Sequence, residues 1–128
     1  PVSPSVLNFI HQNKSGAMIR TSVRVGALLG EGSPTQVEDI SRYGQCIGLA
    51  FQIADDVLDV EGDPSRLGKA VKADLRREKA TYPALFGVEH SRLRAMELVE
   101  EAIMALAAFG PEADPLRLIA RYVVQRDR

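Results

Sequence analysis

The stretch FQIADDVLDVEGD, residues 51 to 63, combines the helical pattern of this sequence with its most unusual group of charges. It sets Asp55, Asp56 and Asp59 in a run of apolar residues that is otherwise typical of a buried helix. An isolated carboxylate loses several kcal/mol or more when it leaves water, so three of them in such a segment require a partner. The nature of that partner is the first clue to function.

The spacing of the three aspartates places them on one side of the helix. At about 100° per residue, Asp55 and Asp59 lie about 40° apart, and Asp56 lies about 60° beyond Asp59. The same polar stripe contains Ser41, Gln45, Gly48 and Gln52, while apolar residues cover much of the remaining surface. A narrow polar stripe on an apolar helix predicts a lined cavity and one carboxylate cluster.

The partner of this cluster is predicted to be a cation, because three acids in the last turns of a helix oppose its macrodipole. Mg²⁺ takes one or two carboxylates and completes its shell with water and substrate phosphates. A calcium loop that begins at Asp59 would place Pro64 where the turn glycine belongs and Ala70 where the bidentate glutamate belongs, so an EF-hand is excluded.

The loop that follows the cluster has the opposite charge. Between residues 66 and 79 six cations face two acids, a net charge of +4: Arg66, Lys69, Lys72, Arg76, Arg77 and Lys79 against Asp74 and Glu78. Metal and ammonium groups can neutralise different oxygens of one diphosphate. Upstream, Lys14-Ser15-Gly16 adds a cation and a hydroxyl to the first helix. These features predict a Mg²⁺-diphosphate site in a helical bundle.

Helical periodicity accounts for the rest of the chain, and no segment reads as a strand. Start and stop signals predict helices from Pro4 to about Leu29, from Pro34 to about Val60, over 81–87, over 88–109 and over 115–127, with a loop over 61–79. The apolar face of the helix over 88–109 is predicted to carry Leu93, Met96, Val99, Ile103 and Leu106. The predicted fold class is all-α.

Composition excludes several classes of protein. The 128 residues are 45% hydrophobic and 26% charged with a net charge of -1, so no basic field indicates nucleic-acid binding. The single cysteine, Cys46, excludes an internal disulfide and is predicted to be a small core residue. No apolar run has the length of a membrane span. We expect a cytoplasmic protein and, since the chain begins without Met, a piece of a longer polypeptide. Met18, Met96 and Met104 are predicted in the core.

Several motifs, in the right order, resemble those of the trans-prenyl diphosphate synthases. GLAFQIADDVLD resembles the second aspartate-rich motif of that family, and LGKAVKADLRREKATYPALFG resembles the segment that follows it. HQNKSGAMIRTSVRVGALLG is similar to the family's Lys-Thr/Ser helix, and PLRLIARYVVQRDR to its C-terminal helix. The resemblance covers essentially the whole chain and is strongest to the short-chain farnesyl branch. It implies the helical bundle of the isoprenoid synthases, with residues 1–128 as the C-terminal part of a single domain.

The resemblance also implies roles for individual residues. Asp55, Asp56 and Asp59 match the aspartates of the Mg²⁺-diphosphate site, with Asp55 as a direct ligand. The other catalytic and substrate-binding positions are Lys14, Lys69 and Lys79, which match contacts to the allylic diphosphate, and Ser15 and Gln52, which match positions near the substrate. The implied reaction is ionisation of an allylic diphosphate, attack by isopentenyl diphosphate and loss of a proton, in an enzyme that pairs as a homodimer through helices.

Two departures from the family pattern leave alternatives open. Where the family reads GKxxGKD this chain has GKAVKAD, so Lys72 replaces a glycine and Ala73 a lysine. The family's first DDxxD motif has no counterpart in the chain, so these 128 residues alone are expected to be inactive. A geranylgeranyl or longer-chain synthase, a non-catalytic subunit of a heteromeric synthase, and an enzyme of terpene cyclisation or head-to-head condensation are the alternatives to a farnesyl diphosphate synthase.

Overall fold

A computed structural model of the chain describes residues 3–6, 16–61 and 81–126. Within these ranges every regular element is helical and there is no strand, so the predicted all-α class is confirmed. The helices are α1 Ala17–Leu29, α2 Pro34–Glu61, α3 Tyr82–Phe86, α4 Val88–Ala105 and α5 Asp114–Gln125, with a 3-10 turn Pro111–Ala113 before α5. None of the described helices combines the length and apolar character needed to cross a bilayer.

The helix starts follow local capping signals in the sequence. At the start of α2, the Ser33 hydroxyl accepts from the backbone N–H of Gln36 at 3.1 Å, and the Gln36 side chain accepts from the Ser33 N–H at 2.9 Å. This reciprocal pair is a capping box. Thr81 caps α3 with a single hydrogen bond, which its side chain accepts from the Ala84 N–H. Ser3 also accepts from the Val6 N–H, at 3.3 Å. Most of the predicted 61–79 loop lies outside the described residues.

The helix α4 ends at Ala105, four residues before the predicted end, and Arg117 holds the turn that follows it. Its guanidinium donates to the carbonyl oxygens of Leu106, Phe109 and Gly110 at 2.9, 2.7 and 3.0 Å. A cation just beyond a helix C-terminus also suits the macrodipole. A side chain from α5 therefore fixes the turn between the two helices.

The central helix of the bundle is α2, which packs against α1, α4 and α5. Two glycines allow α1 to approach it closely. A Cβ atom added at Gly44 would lie 2.9 Å from the Arg20 Cα, and one added at Gly48 would lie 2.6 Å from the Gly16 Cα. Real Cβ atoms do not reach such distances to backbone, so the start of α1 can lie against the polar stripe of α2 only because these positions lack side chains.

The apolar face of α4 differs from the predicted one. Its buried residues are mostly small: Ser91, Ala95, Leu98, Val99, Ala102 and Ala105. Val99 and Leu106 are buried as predicted, but Leu93 and Met96 are each 51% exposed. The prediction of core methionines is wrong as well, since Met18 and Met104 are 73% exposed. Small residues let α4 pack closely on α2, and this displaces the larger apolar side chains to its flanks.

A buried tyrosine of α2 forms a hydrogen bond with the backbone of α5. Tyr43 is 1% exposed, and its hydroxyl donates to the Leu116 carbonyl oxygen at 2.7 Å. Ala120 and Val123 of α5 complete the contact as members of the core. Burial raises the pKa of Tyr43 from 10.0 to about 12, because the phenolate is poorly solvated there.

The close approach at Gly48 predicts opposite effects for two glycine substitutions. Gly48→Ala should lower the free energy of unfolding by about 1 to 3 kcal/mol, since its Cβ meets backbone that cannot rotate away. Gly26→Ala is the matched control, because nothing lies within 4 Å of its added Cβ. It should stabilise the protein by about 0.5 to 1 kcal/mol. Urea unfolding followed by circular dichroism measures both, and changes of the same sign would contradict the packing described.

The Tyr43 contact predicts a specific alkaline instability. Because its folded-state pKa lies above the unfolded value, the neutral hydroxyl contributes stability in full below about pH 10, and this is lost as the pH rises toward about 12. Tyr43→Phe should cost about 1 kcal/mol at neutral pH through loss of the hydrogen bond. The difference between wild type and variant in urea unfolding should shrink from pH 10 upward; a constant difference would show that Tyr43 is not buried as a neutral donor.

Candidate functional site

The three aspartates lie in the last two turns of α2, where the stripe predicted from the sequence reaches the end of the helix. Gln52 lies one turn earlier and is buried, and its side-chain nitrogen donates to the Asp56 Oδ1 at 3.1 Å. The amide therefore holds one carboxylate in a fixed orientation against the core. The structure thus brings two of the predicted site residues, Gln52 and Asp56, into direct contact.

The remaining two carboxylates face outward. The Asp55 side chain is 47% exposed and Asp59 is exposed, whereas their neighbours Val57 and Val60 are buried. The apolar faces of α2 are fixed by the core, so in its last two turns the helix presents Asp55 and Asp59 outward. The result is a pair of accessible carboxylates one turn apart beside a third that is hydrogen-bonded.

These carboxylates do not make a closed cage for a metal. In the part of the chain that the structure describes, no group of three or more His, Cys, Asp or Glu side chains is arranged to hold a metal ion. The donor set still fits Mg²⁺, which binds through one or two carboxylates and takes its remaining ligands from water and substrate phosphates. It does not fit a structural zinc site, since the stripe carries neither Cys nor His.

The acidic end of α2 is partly neutralised by cations from the two neighbouring helices. Glu61 forms an ion pair with Arg92 of α4, and the Asp55 Oδ1 lies 3.8 Å from an Arg126 nitrogen at the end of α5. No cation from residues 3–6, 16–61 or 81–126 pairs with Asp59. Because acids at a helix C-terminus are unfavourable, the remaining negative charge favours a bound cation.

The upstream part of the stripe faces α1. Ser41 is buried, accepts from the Arg24 guanidinium at 2.9 Å and donates to the Val37 carbonyl. Farther along, Gly48 abuts Gly16, the residue that follows Lys14 and Ser15 in the sequence. The predicted site residues Lys14, Ser15, Lys69 and Lys79, and the shifted Lys72, lie outside the described residues.

Arg126 lies at this site although it is not among the residues predicted for it. A signal for it was present, because Ala120, Val123 and Arg126 are spaced three apart and so continue one face of α5. The first two are buried, and the third extends that face to the end of α2. A cation that follows the buried face of a helix predicts a charged partner in the neighbouring element.

A cavity of about 280 Å³ lies beside Arg126, between α2, α4 and α5. Its wall is mostly apolar and includes Ala54, Val57, Ala95 and Val123, with Glu61, Arg92 and Arg126 as its charged members.

Cys46 lies elsewhere on α2, and burial together with the nearby Glu101 raises the pKa of its thiol. A raised pKa disfavours the thiolate, which agrees with its predicted structural role.

Comparison with known proteins assigns the chain to a family. Residues 3–109 match the family model described as Polyprenyl synthetase. The chain is 46% identical over 121 residues to a geranylgeranyl diphosphate synthase of Cyanophora paradoxa, covering 94% of this chain and 40% of that protein. It is 41% identical over 126 residues to the farnesyl diphosphate synthase of Escherichia coli K12, covering 95% of this chain and 42% of that protein.

A solved structure supports the same assignment at the level of fold. An apo crystal structure of an FPP/GFPP synthase from Zymomonas mobilis superposes with a TM-score of 0.81 at 38% identity, covering 96% of this chain and 39% of that one. The chain thus spans well under half the length of the relatives it matches. The chain belongs to the polyprenyl synthetase family, and its fold is the all-α fold of the isoprenoid synthases.

Proposed function

We propose that the protein containing this chain is a Mg²⁺-dependent prenyltransferase that condenses an allylic diphosphate with isopentenyl diphosphate. The observation that carries the proposal is the outward pair Asp55 and Asp59 beside the hydrogen-bonded Asp56, at the negative end of a buried helix. Its family membership and its relatives, which carry the names of prenyl diphosphate synthases, support the same reaction.

In this proposal each residue of the stripe has a separate task. Asp55 and Asp59 hold Mg²⁺, with Asp55 as a direct ligand, and Gln52 keeps Asp56 oriented. When bound, Mg²⁺ supplies neutralisation of the charge that develops on the departing diphosphate. Lys14, Lys69 and Lys79 contact the allylic diphosphate, and Ser15 lies near the substrate. Positive groups aimed at a developing anion lower the barrier to its departure.

The reaction then follows from the substrates. The allylic C–O bond ionises, the double bond of isopentenyl diphosphate attacks the carbocation, and the resulting cation loses a proton, with pyrophosphate as the released anion. Water at the site would trap the carbocation, so condensation requires a site that excludes it. The relatives, which carry the names of prenyl diphosphate synthases, are our reason for favouring condensation over simple hydrolysis of the allylic diphosphate.

The product is proposed to be farnesyl diphosphate, with a geranylgeranyl or longer product as the alternative. The relatives favour neither strongly, because a geranylgeranyl diphosphate synthase matches at 46% identity and a farnesyl diphosphate synthase at 41%. The GKAVKAD departure favours a further alternative, a non-catalytic subunit of a heteromeric synthase. Both alternatives are outcomes of the assay below.

The protein is further proposed to be a cytoplasmic homodimer. Large apolar side chains stay exposed on α1 and α5, including Leu29, Leu118, Ile119 and Tyr122. Exposed apolar surface of this kind favours burial against further protein. Since the chain covers only part of its relatives' length, both the remainder of the domain and a second subunit are available to cover it.

The proposed reaction predicts the behaviour of the complete gene product that contains this chain. Supplied with Mg²⁺, isopentenyl diphosphate and geranyl diphosphate, it should release one pyrophosphate per condensation and yield a product longer by one isoprene unit. Chelation of Mg²⁺ should abolish release. Product analysis by mass spectrometry then distinguishes farnesyl from longer products. No pyrophosphate release under these conditions would contradict the enzyme and support the non-catalytic subunit.

The metal role of Asp55 predicts a selective defect. Asp55→Asn keeps the shape of the side chain and removes its charge, so it should lower kcat on the order of 100-fold, as loss of one group that stabilises developing charge does. Glu38→Gln is the matched control, because Glu38 is exposed at the other end of α2. It should change kcat by less than about twofold, as a surface charge does. Equal effects of the two variants, measured by steady-state kinetics, would exclude a special role for Asp55.

A further inference from the structure

The carboxylate proposed to bind metal already has a cation of the protein beside it. The Arg126 Nη2 lies 3.8 Å from the Asp55 Oδ1. The Arg126 side chain is 10% exposed and the Asp55 side chain is 47% exposed. The guanidinium therefore approaches from the protein interior, while the carboxylate keeps its open side toward solvent.

The position of Arg126 is fixed by several contacts. Its Nε donates to the Val123 carbonyl oxygen at 3.3 Å, and its guanidinium carbon lies 4.4 Å from the centre of the Phe51 ring. Phe51 is one turn before Asp55 on α2, so the ring that stacks on the cation and the acid that pairs with it lie on the same face. An arginine over an aromatic ring is held by a cation–π contact.

The contact between Arg126 and Asp55 is nonetheless loose. A distance of 3.8 Å is too long for a hydrogen bond. Within the described residues, Nη2 is inaccessible to solvent and has no hydrogen-bond partner. The guanidinium acts on the carboxylate only through its charge. A metal ion can therefore bind Asp55 without breaking a hydrogen bond between Asp55 and Arg126.

We infer that Arg126 is the counter-ion of Asp55 in the metal-free site and makes the site favour a metal–diphosphate complex over the free metal. The inference rests on the proposed function, because it takes Asp55 to be a metal ligand. A bare divalent cation at Asp55 is repelled by the neighbouring guanidinium. A diphosphate that arrives with the metal is attracted by the same guanidinium, so the two effects of Arg126 have opposite signs.

Removal of the guanidinium tests this pair of effects in the complete gene product. Binding of Mn²⁺ alone is followed by electron paramagnetic resonance, and binding of inorganic pyrophosphate with saturating Mg²⁺ is followed by calorimetry. Arg126→Met should tighten Mn²⁺ binding on the order of tenfold, because like charges a few ångströms apart repel even when partly screened. It should weaken pyrophosphate binding by about threefold, because an attractive charge beside the anion is gone.

Two further variants separate this role from a structural one. Arg126→Gln is a second neutral variant and should reproduce both shifts, which decides the result if Arg126→Met loses its helical circular dichroism. Arg121→Met makes the same change of charge at an exposed position of α5 and should move neither constant by more than about twofold. A structural role would weaken the binding of both ligands together.

The outcomes distinguish the inference from the proposed function. Opposite shifts of the two constants in folded Arg126 variants support it. Shifts of the same sign, or no shift, overturn it while Mg²⁺-dependent pyrophosphate binding by the wild type leaves the proposed function standing. Absence of that wild-type binding overturns both.

Discussion

Four acids at the C-terminal end of a buried helix are the main electrostatic constraint on this bundle. Asp55, Asp56, Asp59 and Glu61 all lie in the last two turns of α2, where the macrodipole is already negative. Such an arrangement is stable only where cations or hydrogen-bond donors surround it. Gln52 from α2, Arg92 from α4 and Arg126 from α5 supply part of that compensation, so the three helices meet at this point.

Close helix packing holds this end of α2 in place. Gly44 and Gly48 let α1 lie directly on α2 and bring Gly16 against the polar stripe one turn before Gln52. On the other side, the small residues of α4 allow a similarly close contact. Tyr43 and Arg117 then fix α5 relative to α2 and α4, which in turn fixes Arg126 at the end of α5. The packing of the core and the electrostatics of the site are therefore parts of one arrangement.

Much of this arrangement is predictable from the sequence, and the exceptions have physical causes. The helix starts at Ser33 and Thr81 are predictable because capping is a local interaction between residues three apart. The aspartate stripe is predictable because helical geometry alone fixes it. The exposed face of α4 is not, because the choice between Ala95 and Met96 as the buried residue depends on how closely α2 approaches. The Asp55–Arg126 pair joins distant parts of the chain, and only the packing of α5 brings them together.

The proposed function requires that Asp55 belong to a site where a divalent cation and a diphosphate bind together. Anomalous diffraction from crystals of the complete gene product, grown with Mn²⁺ and inorganic pyrophosphate, would locate both groups in one experiment. We expect a metal peak within bonding distance of an Asp55 carboxylate oxygen, with a pyrophosphate oxygen in the same coordination shell. A bound pyrophosphate with no metal at Asp55, or a metal held elsewhere on α2, would contradict it.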